Sequence, residues 1–340
     1  MKENILNIAV IGCSNMARLH MQGIVEAEGA ELYAICDTAK EMLDLRLGEF
    51  TPKRVCEDYR ELVEDEAVDA VVIVTPDKLH LEMTCAFLEA GKAVLCEKPM
   101  ALTLEECEEM MRVERATGGK LMIGQICRCT PGFMMAKEII SSGRIGELIF
   151  AESEYAHNYE HARGYNDWRV DPDRHIFIGG GCHAVDLIRW IAGDPIEVYA
   201  YGNHKSLLDW PTDDTAVAIY KLQNDLMAKV FVSSGCKRNY TMRSVFYGTK
   251  GTVICDNTSE TISLFEDKRE EGIDYHKETK LPVNVNNHNA SMEIAEFIEA
   301  LRSGAPMPVS SREGASTVAV CCATVESIAK GTPVRIRYPR

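Results

Sequence analysis

The chain has 340 residues, of which 46% are hydrophobic and 26% are charged, and its formal net charge is −15. This length allows two domains with sizeable cores, and the acidity disfavours nucleic acid or an anionic membrane as a partner. The start, MKENILNIAVIG, has no long apolar stretch of the secretory or stop-transfer kind, so we expect a cytoplasmic protein without a membrane segment.

The first 124 residues alternate between short apolar strands and segments of helical periodicity. The predicted strands are Leu6–Ile11, Glu31–Cys36, Val68–Val74, Ala93–Cys96 and Lys120–Ile123. This alternation is typical of βαβ units, and Thr103 with Glu106 forms a capping box that starts one of the helices. We therefore predict an α/β Rossmann domain with a doubly wound parallel sheet over residues 1–124, whose ligands bind at the carboxyl ends of the strands.

The first predicted strand runs into a loop that partly matches the dinucleotide fingerprint G-x-G-x-x-G/A. Gly12 and Ala17 match, but Ser14 stands at the middle glycine, so an ordinary strand-to-helix turn explains the loop equally well. Asp37 ends the second strand, where a carboxylate would bind ribose hydroxyls and repel a 2′-phosphate. Together the loop and Asp37 favour NAD over NADP as the cofactor.

Two further strands end in turns that contain proline. One is Thr75-Pro76, and the other is Glu97-Lys98-Pro99. A Lys-Pro pair is most often a surface turn, because lysine is usually exposed and proline marks loops. Here it lies where a parallel sheet binds its ligand, so Lys98 is the best candidate for chemistry in this domain.

The thirteen cysteines are odd in number, scattered and mostly set in apolar segments. These features favour reduced, buried thiols over a disulfide framework. Cys127-Arg128-Cys129 has no second ligand pair at the spacing of a zinc site, so we predict no metal.

A second domain is predicted from residue 125 to residue 340. It has a helical segment near 134–142, a strand at 148–157 and four β-rich stretches at 215–222, 226–234, 244–247 and 252–255. These stretches indicate an α+β domain with a large, mostly antiparallel open sheet. Helical segments at 182–192, 290–303 and 313–330 could cover one sheet face, and the C-terminal ones could pack back on the first domain.

Three glycines, Gly179 to Gly181, place His183 in the first turn of a helix. An imidazole there could serve as a base near neutral pH. Asp186 at i+3 shares a helical face with His183, so we expect it to orient or charge-stabilise the ring. The alternative is a core histidine packed beside Leu187 and Trp190.

Aromatic rings and hydrogen-bond donors crowd the segment before this helix. A mixture of flat faces and donors suits the hydroxyls of a sugar or polyol, although an interface loop would have the same composition. With Arg128, the candidate substrate-binding residues are His157, Tyr159, Trp168, Arg169, His175 and Asp186.

In combination these residues resemble the family of glucose-fructose oxidoreductase, inositol dehydrogenase and rhizopine catabolism proteins (Gfo/Idh/MocA), over nearly the whole chain. The resemblance rests on Thr75-Pro76 with His80, Glu97-Lys98-Pro99, Arg128 before Pro131, Gly143-Arg144-Ile145-Gly146, and Gly181 to Asp186. It implies an N-terminal Rossmann domain, a C-terminal sheet domain often used for oligomerisation, and a substrate bound between the sheet face and the nicotinamide.

The resemblance also implies roles for individual residues. Lys98 resembles the family's lysine that hydrogen-bonds the reacting oxygen, and His183 resembles its catalytic histidine. The sequence departs from the pattern at Ser14 and at Gly179, where the dehydrogenases usually place an aspartate; Asp171, Asp173, His175 or Asp186 could rebuild the proton relay. The expected cofactor-binding residues are Gly12, Ser14, Asn15, Met16, Asp37, Thr75, Pro76, His80, Glu97 and Lys98.

We therefore predict an NAD-dependent dehydrogenase or reductase that acts on a secondary alcohol or ketone of a sugar, glycoside or polyol such as inositol. His183 would take the hydroxyl proton and Lys98 would stabilise charge on the oxygen. Two alternatives are an NAD-recycling enzyme that cleaves or eliminates through transient oxidation, and a non-catalytic NAD-sensing regulator. The expected partners are the carbohydrate or polyol substrate and further copies of the chain, in a dimer or tetramer formed through the C-terminal sheet.

Overall fold

The structure is a computed structural model that describes residues 5–267 and 277–340, and the chain divides into two compact units. Unit 1 comprises the residues up to Ile126 together with Asn289–Ser316 and Pro339–Arg340, and unit 2 comprises Cys127–His288 and Thr317–Tyr338. Compactness does not show which segments fold independently. The predicted domain boundary at residue 124 therefore stays a prediction.

The N-terminal part of unit 1 alternates strands and helices. Its elements are β1 (Leu6–Ile11), α1 (Asn15–Glu26), β2 (Ala30–Cys36), α2 (Lys40–Leu47), β3 (Arg54–Cys56), α3 (Arg60–Val63), β4 (Ala70–Ile73), α4 (His80–Glu89), β5 (Ala93–Glu97), α5 (Leu104–Thr117) and β6 (Leu121–Gly124). The six strands lie in the order β3-β2-β1-β4-β5-β6, and every pairing is parallel. This arrangement confirms the predicted doubly wound sheet.

The order of the strands reverses between β1 and β4, and ligands of such sheets bind beyond the carboxyl ends of the strands at that point. All four residues of β4 are buried, as expected for a parallel strand covered on both faces. The predicted capping box is confirmed at α5, since the Thr103 hydroxyl accepts from the Glu106 N–H at 3.2 Å and the Glu106 carboxylate accepts from the Thr103 N–H at 3.0 Å.

The rest of the chain adds nine strands and five helices among the described residues. In chain order they are α6 (Pro131–Ser141), β7 (Leu148–Ala156), α7 (Ile176–Gly179), α8 (Cys182–Ala192), β8 (Glu197–Asn203), β9 (Thr215–Lys221), β10 (Met227–Ser233), β11 (Thr241–Gly248), β12 (Gly251–Asp256), β13 (Thr261–Glu266), β14 (Lys277–Pro282), α9 (Ala290–Ser303), α10 (Ser311–Lys330) and β15 (Val334–Arg335). Among the described helices none combines the length and apolar content needed to cross a bilayer.

Unit 2 is built on a nine-stranded sheet in the order β14-β13-β12-β11-β7-β10-β9-β8-β15. Among the strand pairings of the described residues only β7–β10 is parallel, so the predicted open, mostly antiparallel sheet is confirmed. One face of the sheet is buried, and α8 packs there against β7 and β10. Side chains on the other face include the exposed Tyr201, Ile219 and Met227.

Helix α9 belongs to unit 1, where it packs against α1. The Ser291 hydroxyl donates to the Glu26 carboxylate across this contact at 2.9 Å. The apolar side of α9, formed by Ile294, Phe297 and Ile298, joins the core beneath β1 and β4. A segment that is distant in sequence therefore completes the core of unit 1.

Candidate active site

The loop between β1 and α1 has the local geometry of a dinucleotide-binding turn. Gly12 has φ of +94°, and a Cβ at this position would lie 2.6 Å from the Val74 carbonyl oxygen, so only glycine fits. Ser14 has φ of −64° and ψ of 176°, an extended backbone that any residue adopts. Its hydroxyl oxygen accepts from the Ala17 N–H at 3.3 Å. Serine in place of the middle glycine therefore causes no strain here and caps the helix.

Ser14 and Asn15 are exposed and Met16 is half-buried, so the first turn of α1 is open to a ligand. The N–H groups of a first helical turn have no partner within the helix, and they suit a pyrophosphate. Arg46 supports this loop from below, since its guanidinium donates to the Cys13 carbonyl at 3.1 Å and to the Asn15 side-chain oxygen at 3.3 Å. Sequence reasoning did not identify Arg46.

Asp37 lies at the end of β2 beside the same loop. Its carboxylate oxygens accept from the Cys13 N–H at 2.7 Å and from the Ala39 N–H at 2.9 Å. A carboxylate offers about four lone-pair sites, so these two bonds leave capacity for ribose hydroxyls. The cradle at Gly12, the open start of α1 and the anchored Asp37 thus fit an NAD molecule.

His80 lies beneath the turns that follow β4 and β5, and its side chain is fully buried. Nδ1 is 2.8 Å from the Pro99 carbonyl and Nε2 is 3.1 Å from the Thr75 carbonyl, so both nitrogens must carry hydrogens. Burial alone would lower the pKa of His80, but Cys96, Asp77 and the Pro99 carbonyl outweigh it and raise the pKa to about 10. His80 thus fixes the two turns, while Thr75 and Pro76 stay half-exposed. The predicted cofactor contact of His80 stays a prediction.

Glu97 holds the backbone of the candidate lysine. One carboxylate oxygen accepts from the Lys98 N–H at 3.1 Å and the other lies 2.8 Å from His20 Nε2. Burial would raise the pKa of Glu97, but the His20 hydrogen bond and the charges of His20 and Lys98 lower it. The Lys98–Pro99 peptide bond is cis, and the Lys98 side chain is half-buried. Glu97 therefore fixes the backbone of Lys98, and its predicted contact with the cofactor stays a prediction.

Glu293 of α9 joins His20 and Glu97 in a buried cluster, with only 1% of its surface exposed. The candidate ligand atoms of the three side chains lie within 4.8 Å of one another. Burial, followed by the charges of Glu97 and Glu296, raises the pKa of Glu293 well above its usual range, which favours the protonated carboxyl. The three side chains are also donor types that a divalent cation accepts, and the predicted absence of a metal stays a prediction.

His183 lies in the first turn of α8 and is 2% exposed. Gly181 lets this turn approach β10, since a Cβ there would lie 2.8 Å from the Val232 side chain. The imidazole stacks on the Tyr155 ring with a centroid distance of 5.8 Å, and its Nδ1 lies 3.1 Å from the Cys127 sulfur. These contacts fix the plane of the ring and one of its nitrogens.

Asp186 does not take the place that the sequence suggested beside His183. Its two carboxylate oxygens accept from the Arg128 guanidinium at 2.7 and 2.8 Å, and the Thr317 hydroxyl donates to one of them at 3.0 Å. Three residues along a helix correspond to a turn of about 60° away from the starting side chain. That offset directs Asp186 to Arg128, with which it forms a buried ion pair, and the substrate contacts expected of both residues stay predictions.

Phenols and imidazoles surround His183. The Tyr155 hydroxyl lies 2.7 Å from the Tyr159 hydroxyl and 3.1 Å from His157 Nδ1, and the His157 ring lies 4.5 Å from that of Tyr240. Burial raises the pKa of Tyr155 and of Tyr240 well above the usual range, so both phenols remain protonated. The structure thus brings the predicted His157 and Tyr159 together with His183, and it adds Tyr155 and Tyr240.

The remaining candidate residues hold the loop before α7 in place. Trp168 has the guanidinium carbons of Arg169 and Arg174 at 4.5 and 4.8 Å from its ring. The Arg174 guanidinium donates to the Gly179 carbonyl at 3.1 Å, and a Cβ at Gly179 would lie 2.3 Å from its central carbon. Residue 179 therefore cannot carry an aspartate unless Arg174 moves.

His175 serves as a helix cap. Its Nδ1 accepts from the Phe177 N–H at 3.1 Å at the start of α7, and its Nε2 lies 3.3 Å from the Asp213 carboxylate. Because Nδ1 accepts, the neutral ring carries its proton on Nε2 and donates it to Asp213. Both nitrogens are thus engaged within the protein, and the expected substrate contact of His175 stays a prediction.

Several residues of these clusters left little trace in the sequence. Glu293 could have been predicted to be buried, because it lies at helical spacing from the apolar residues Ala290, Ile294 and Phe297, which form the buried side of α9. Cys127, Tyr155 and Tyr240 had none, since each joins the His183 cluster from a segment far away along the chain. Arg174 had none either, although its guanidinium reaches the Gly179 carbonyl only five residues away.

A doubly wound sheet whose loop and Asp37 fit NAD, joined to a separate sheet unit, defines the protein as an NAD-dependent oxidoreductase. The model of the oxidoreductase family with an NAD-binding Rossmann fold matches residues 6–125, and that of the GFO/IDH/MocA C-terminal domain matches residues 133–254. Together the two models cover more than half of the sequence, and the chain belongs to the Gfo/Idh/MocA oxidoreductase family.

Relatives of known name match the chain over nearly its whole length. Inositol 2-dehydrogenase 2 of Saccharopolyspora erythraea is 28% identical over 97% of this chain and 96% of the relative. The 1,5-anhydro-D-fructose reductase of Ensifer adhaerens is 28% identical over 96% of this chain and 97% of the relative. Among solved structures, a levoglucosan dehydrogenase in complex with NADH and L-sorbose superimposes with a TM-score of 0.89 over 98% of this chain and 100% of its own, at 21% identity, which shows a shared fold.

Proposed function

We propose that the protein reversibly oxidises a secondary alcohol of a sugar, glycoside or polyol with NAD. The observation that carries the proposal is the buried His183, whose ring is fixed by Cys127 and Tyr155 and surrounded by protonated phenols. A fixed imidazole is a suitable base for a hydroxyl proton, and phenols and imidazoles bind further hydroxyls. The relatives named as inositol dehydrogenase and anhydrofructose reductase support the same substrate class.

NAD, when bound, supplies the acceptor for the hydride that leaves the carbon bearing the hydroxyl. Gly12, Ser14, Asn15 and Met16 would hold its pyrophosphate, and Asp37 its ribose hydroxyls. His183 takes the hydroxyl proton in oxidation and returns it in reduction. Lys98 donates a hydrogen bond to the same oxygen and stabilises the charge that develops there.

The test follows nicotinamide absorbance across a panel of inositols, aldoses, ketoses and glycosides, with NAD and NADP in parallel. We expect absorbance to rise with at least one polyol or sugar and NAD. Release of a sugar without accumulation of NADH would identify the NAD-recycling alternative. Firm NAD binding with no turnover on the whole panel would overturn the enzyme proposal and favour a sensor.

We further propose that copies of the chain associate through the exposed face of the nine-stranded sheet. This face carries the exposed Tyr201, Ile219 and Met227 on the neighbouring strands β8, β9 and β10, each two residues further along the register than the last. Large apolar side chains clustered on an open sheet favour burial against a second copy. A cytoplasmic location is also part of the proposal, supported by thirteen cysteines that form no disulfide.

A further inference from the structure

Cys127 and Met242 form a short chain of contacts behind His183. Cys127, in the turn Ile126–Cys129, places its sulfur 3.1 Å from His183 Nδ1. The same sulfur lies 3.5 Å from the Met242 thioether on β11 and donates its hydrogen there. Cys127 and Met242 are buried, with 1% and 0% of their surfaces exposed, so bulk water does not compete for these contacts.

The direction of these bonds follows from what each group can donate. A thioether has no hydrogen and can only accept, whereas a thiol has one hydrogen. When the Cys127 hydrogen points to Met242, the sulfur presents lone pairs to His183, and Nδ1 must then carry the proton. The reverse order, with the thiol donating to Nδ1, would give up the Cys127–Met242 hydrogen bond and leave the two sulfur atoms in van der Waals contact.

The tautomer of His183 decides whether it can act as a base. A neutral imidazole has one protonated nitrogen, and only the other nitrogen can accept a proton. With the proton on Nδ1, Nε2 is the accepting nitrogen. With the proton on Nε2, the outward nitrogen would be a donor and could not take the proton of an alcohol.

Two of the positions from which the sequence suggested a carboxylate for this task, residue 179 and Asp186, are occupied in other ways. Residue 179 is a glycine, and the Arg174 guanidinium fills the space that its side chain would need. Asp186 directs both carboxylate oxygens to Arg128, and one of them also to Thr317. The Cys127 sulfur, in contrast, lies within hydrogen-bonding distance of Nδ1, at 3.1 Å.

We propose that Cys127, backed by Met242, is the positioning residue that holds the proton of His183 on Nδ1 and so makes Nε2 the catalytic base. This inference rests on the proposed function of His183. A thiol adds no negative charge beside the imidazolium that forms during oxidation, unlike a carboxylate. The hydrogen bond to sulfur is weak, so its loss should slow turnover about tenfold without abolishing it.

The kinetic test compares Cys127→Ala and Cys127→Ser with Cys182→Ala. Cys182 is the neighbour of His183 in sequence and is equally buried, but its thiol faces the carbonyls of Gly179 and Gly180. We expect Cys127→Ala to lower kcat about tenfold with little change in KM, and to move the acid limb of the kcat/KM profile to lower pH because the imidazolium loses an acceptor. Cys127→Ser should recover most of the rate, and Cys182→Ala should behave like the wild type.

A spectroscopic test reports the tautomer directly and needs no substrate. In protein labelled with ¹⁵N-histidine, the His183 signals are identified by their loss in His183→Ala. We expect a protonated Nδ1 and an unprotonated Nε2 in the wild type, a mixture of tautomers in Cys127→Ala, and a smaller change in the same direction in Met242→Leu.

A wild-type ring protonated on Nε2 would overturn the inference, as would a Cys127→Ala enzyme with wild-type tautomer, rate and pH profile. If Cys127→Ala does not fold, the tautomer in the wild-type spectrum and the rate of Cys127→Ser still test whether Cys127 holds the proton on Nδ1. Full activity in His183→Ala would instead refute the proposed base, while the tautomer measurement would still report whether Cys127 controls the ring.

Discussion

The cofactor side of unit 1 and the His183 cluster of unit 2 are built from different kinds of contact. At the strand ends of unit 1, Asp37, His80 and Glu97 bond mainly to backbone groups of the turns around them. Around His183, side chains bond to side chains, as in Cys127–His183 and Tyr155–Tyr159.

This difference shows how one family can keep a cofactor and change its substrate. Backbone groups are present whatever the sequence, so an acceptor at the end of β2 fixes the turn in any related chain. Side-chain networks depend on every member, and exchanging one changes what the cluster binds. We therefore expect substitutions in unit 1 to affect cofactor use and stability, and those in unit 2 to affect the rate and choice of substrate.

The largest effect is expected from removing the proposed base or the proposed lysine. His183→Ala and Lys98→Met should each lower kcat/KM by a factor on the order of 10² to 10⁴, since each removes a group that acts on the reacting oxygen. Steady-state kinetics with the substrate found in the panel measure this loss of kcat/KM. The exposed His161→Ala and Lys120→Met are matched controls, and near-normal turnover in both site variants would refute the assignment.

Cofactor preference should change by a smaller factor. Asp37→Asn keeps the shape and one acceptor oxygen but removes the charge that repels a 2′-phosphate. We expect the ratio of kcat/KM for NAD over NADP to fall about 10- to 100-fold. The readout is the ratio and not the rate, because loosening of the loop at Cys13 would affect both cofactors alike. An unchanged ratio would contradict the role of Asp37.

Substitution on the open sheet face should change the assembly but not the fold. Ile219→Glu places a charge among the outward side chains of β9, so we expect a lower molar mass by sedimentation at the same concentration. Leu45→Glu is the matched control, because Leu45 is an exposed apolar residue on α2 of unit 1. The proposed association surface is wrong if the wild type is a monomer or if both variants keep its mass.

The smallest effect is a pH dependence of stability that arises from Glu293. Its pKa is raised in the folded state, so the stability from its bound proton is fully present below the usual carboxyl pKa of about 4.5 and is lost as the pH rises. One such proton contributes a slope of up to about 1.4 kcal/mol per pH unit to the free energy of unfolding. Glu293→Gln should lose that slope and be the more stable protein at neutral pH.

Denaturant unfolding from pH 4.5 to 8 measures the slope. Glu299→Gln, an exposed glutamate on the same helix, is the control and should follow the wild type. Parallel curves for the wild type and Glu293→Gln would show that Glu293 loses no proton on unfolding.

Most of the fold could be predicted because burial leaves a pattern along the chain. The strands β1, β2, β4, β5 and β6 were predicted as continuous apolar runs, since both faces of a parallel sheet are covered. The strands β3, β8, β13, β14 and β15 were missed. They are short or lie toward the edges of their sheets, where alternating or exposed side chains give a weak signal.

The residues of the candidate site likewise fall into those that a local pattern predicted and those whose partners it did not predict. The loop at Gly12, Asp37, Lys98 and His183 were predicted because strand ends, glycines and helix starts restrict where functional groups can lie. The structure pairs Asp186 with Arg128 and brings His175 to Asp213, contacts that were not predicted, since spacing gives the side of a helix but not the partner that a side chain meets. The substrate contacts of these three residues stay predictions.

By itself the sequence determined that this chain has a parallel Rossmann sheet, an NAD loop, a second open sheet and two candidate catalytic residues, because local patterns of burial and turn chemistry specify them. Only the tertiary structure decided which groups meet. Cys127 reaches His183 over 56 residues of sequence, and Tyr155 stacks on the same ring from β7. Such contacts depend on how distant segments pack, and no local pattern records a neighbour that lies on another element.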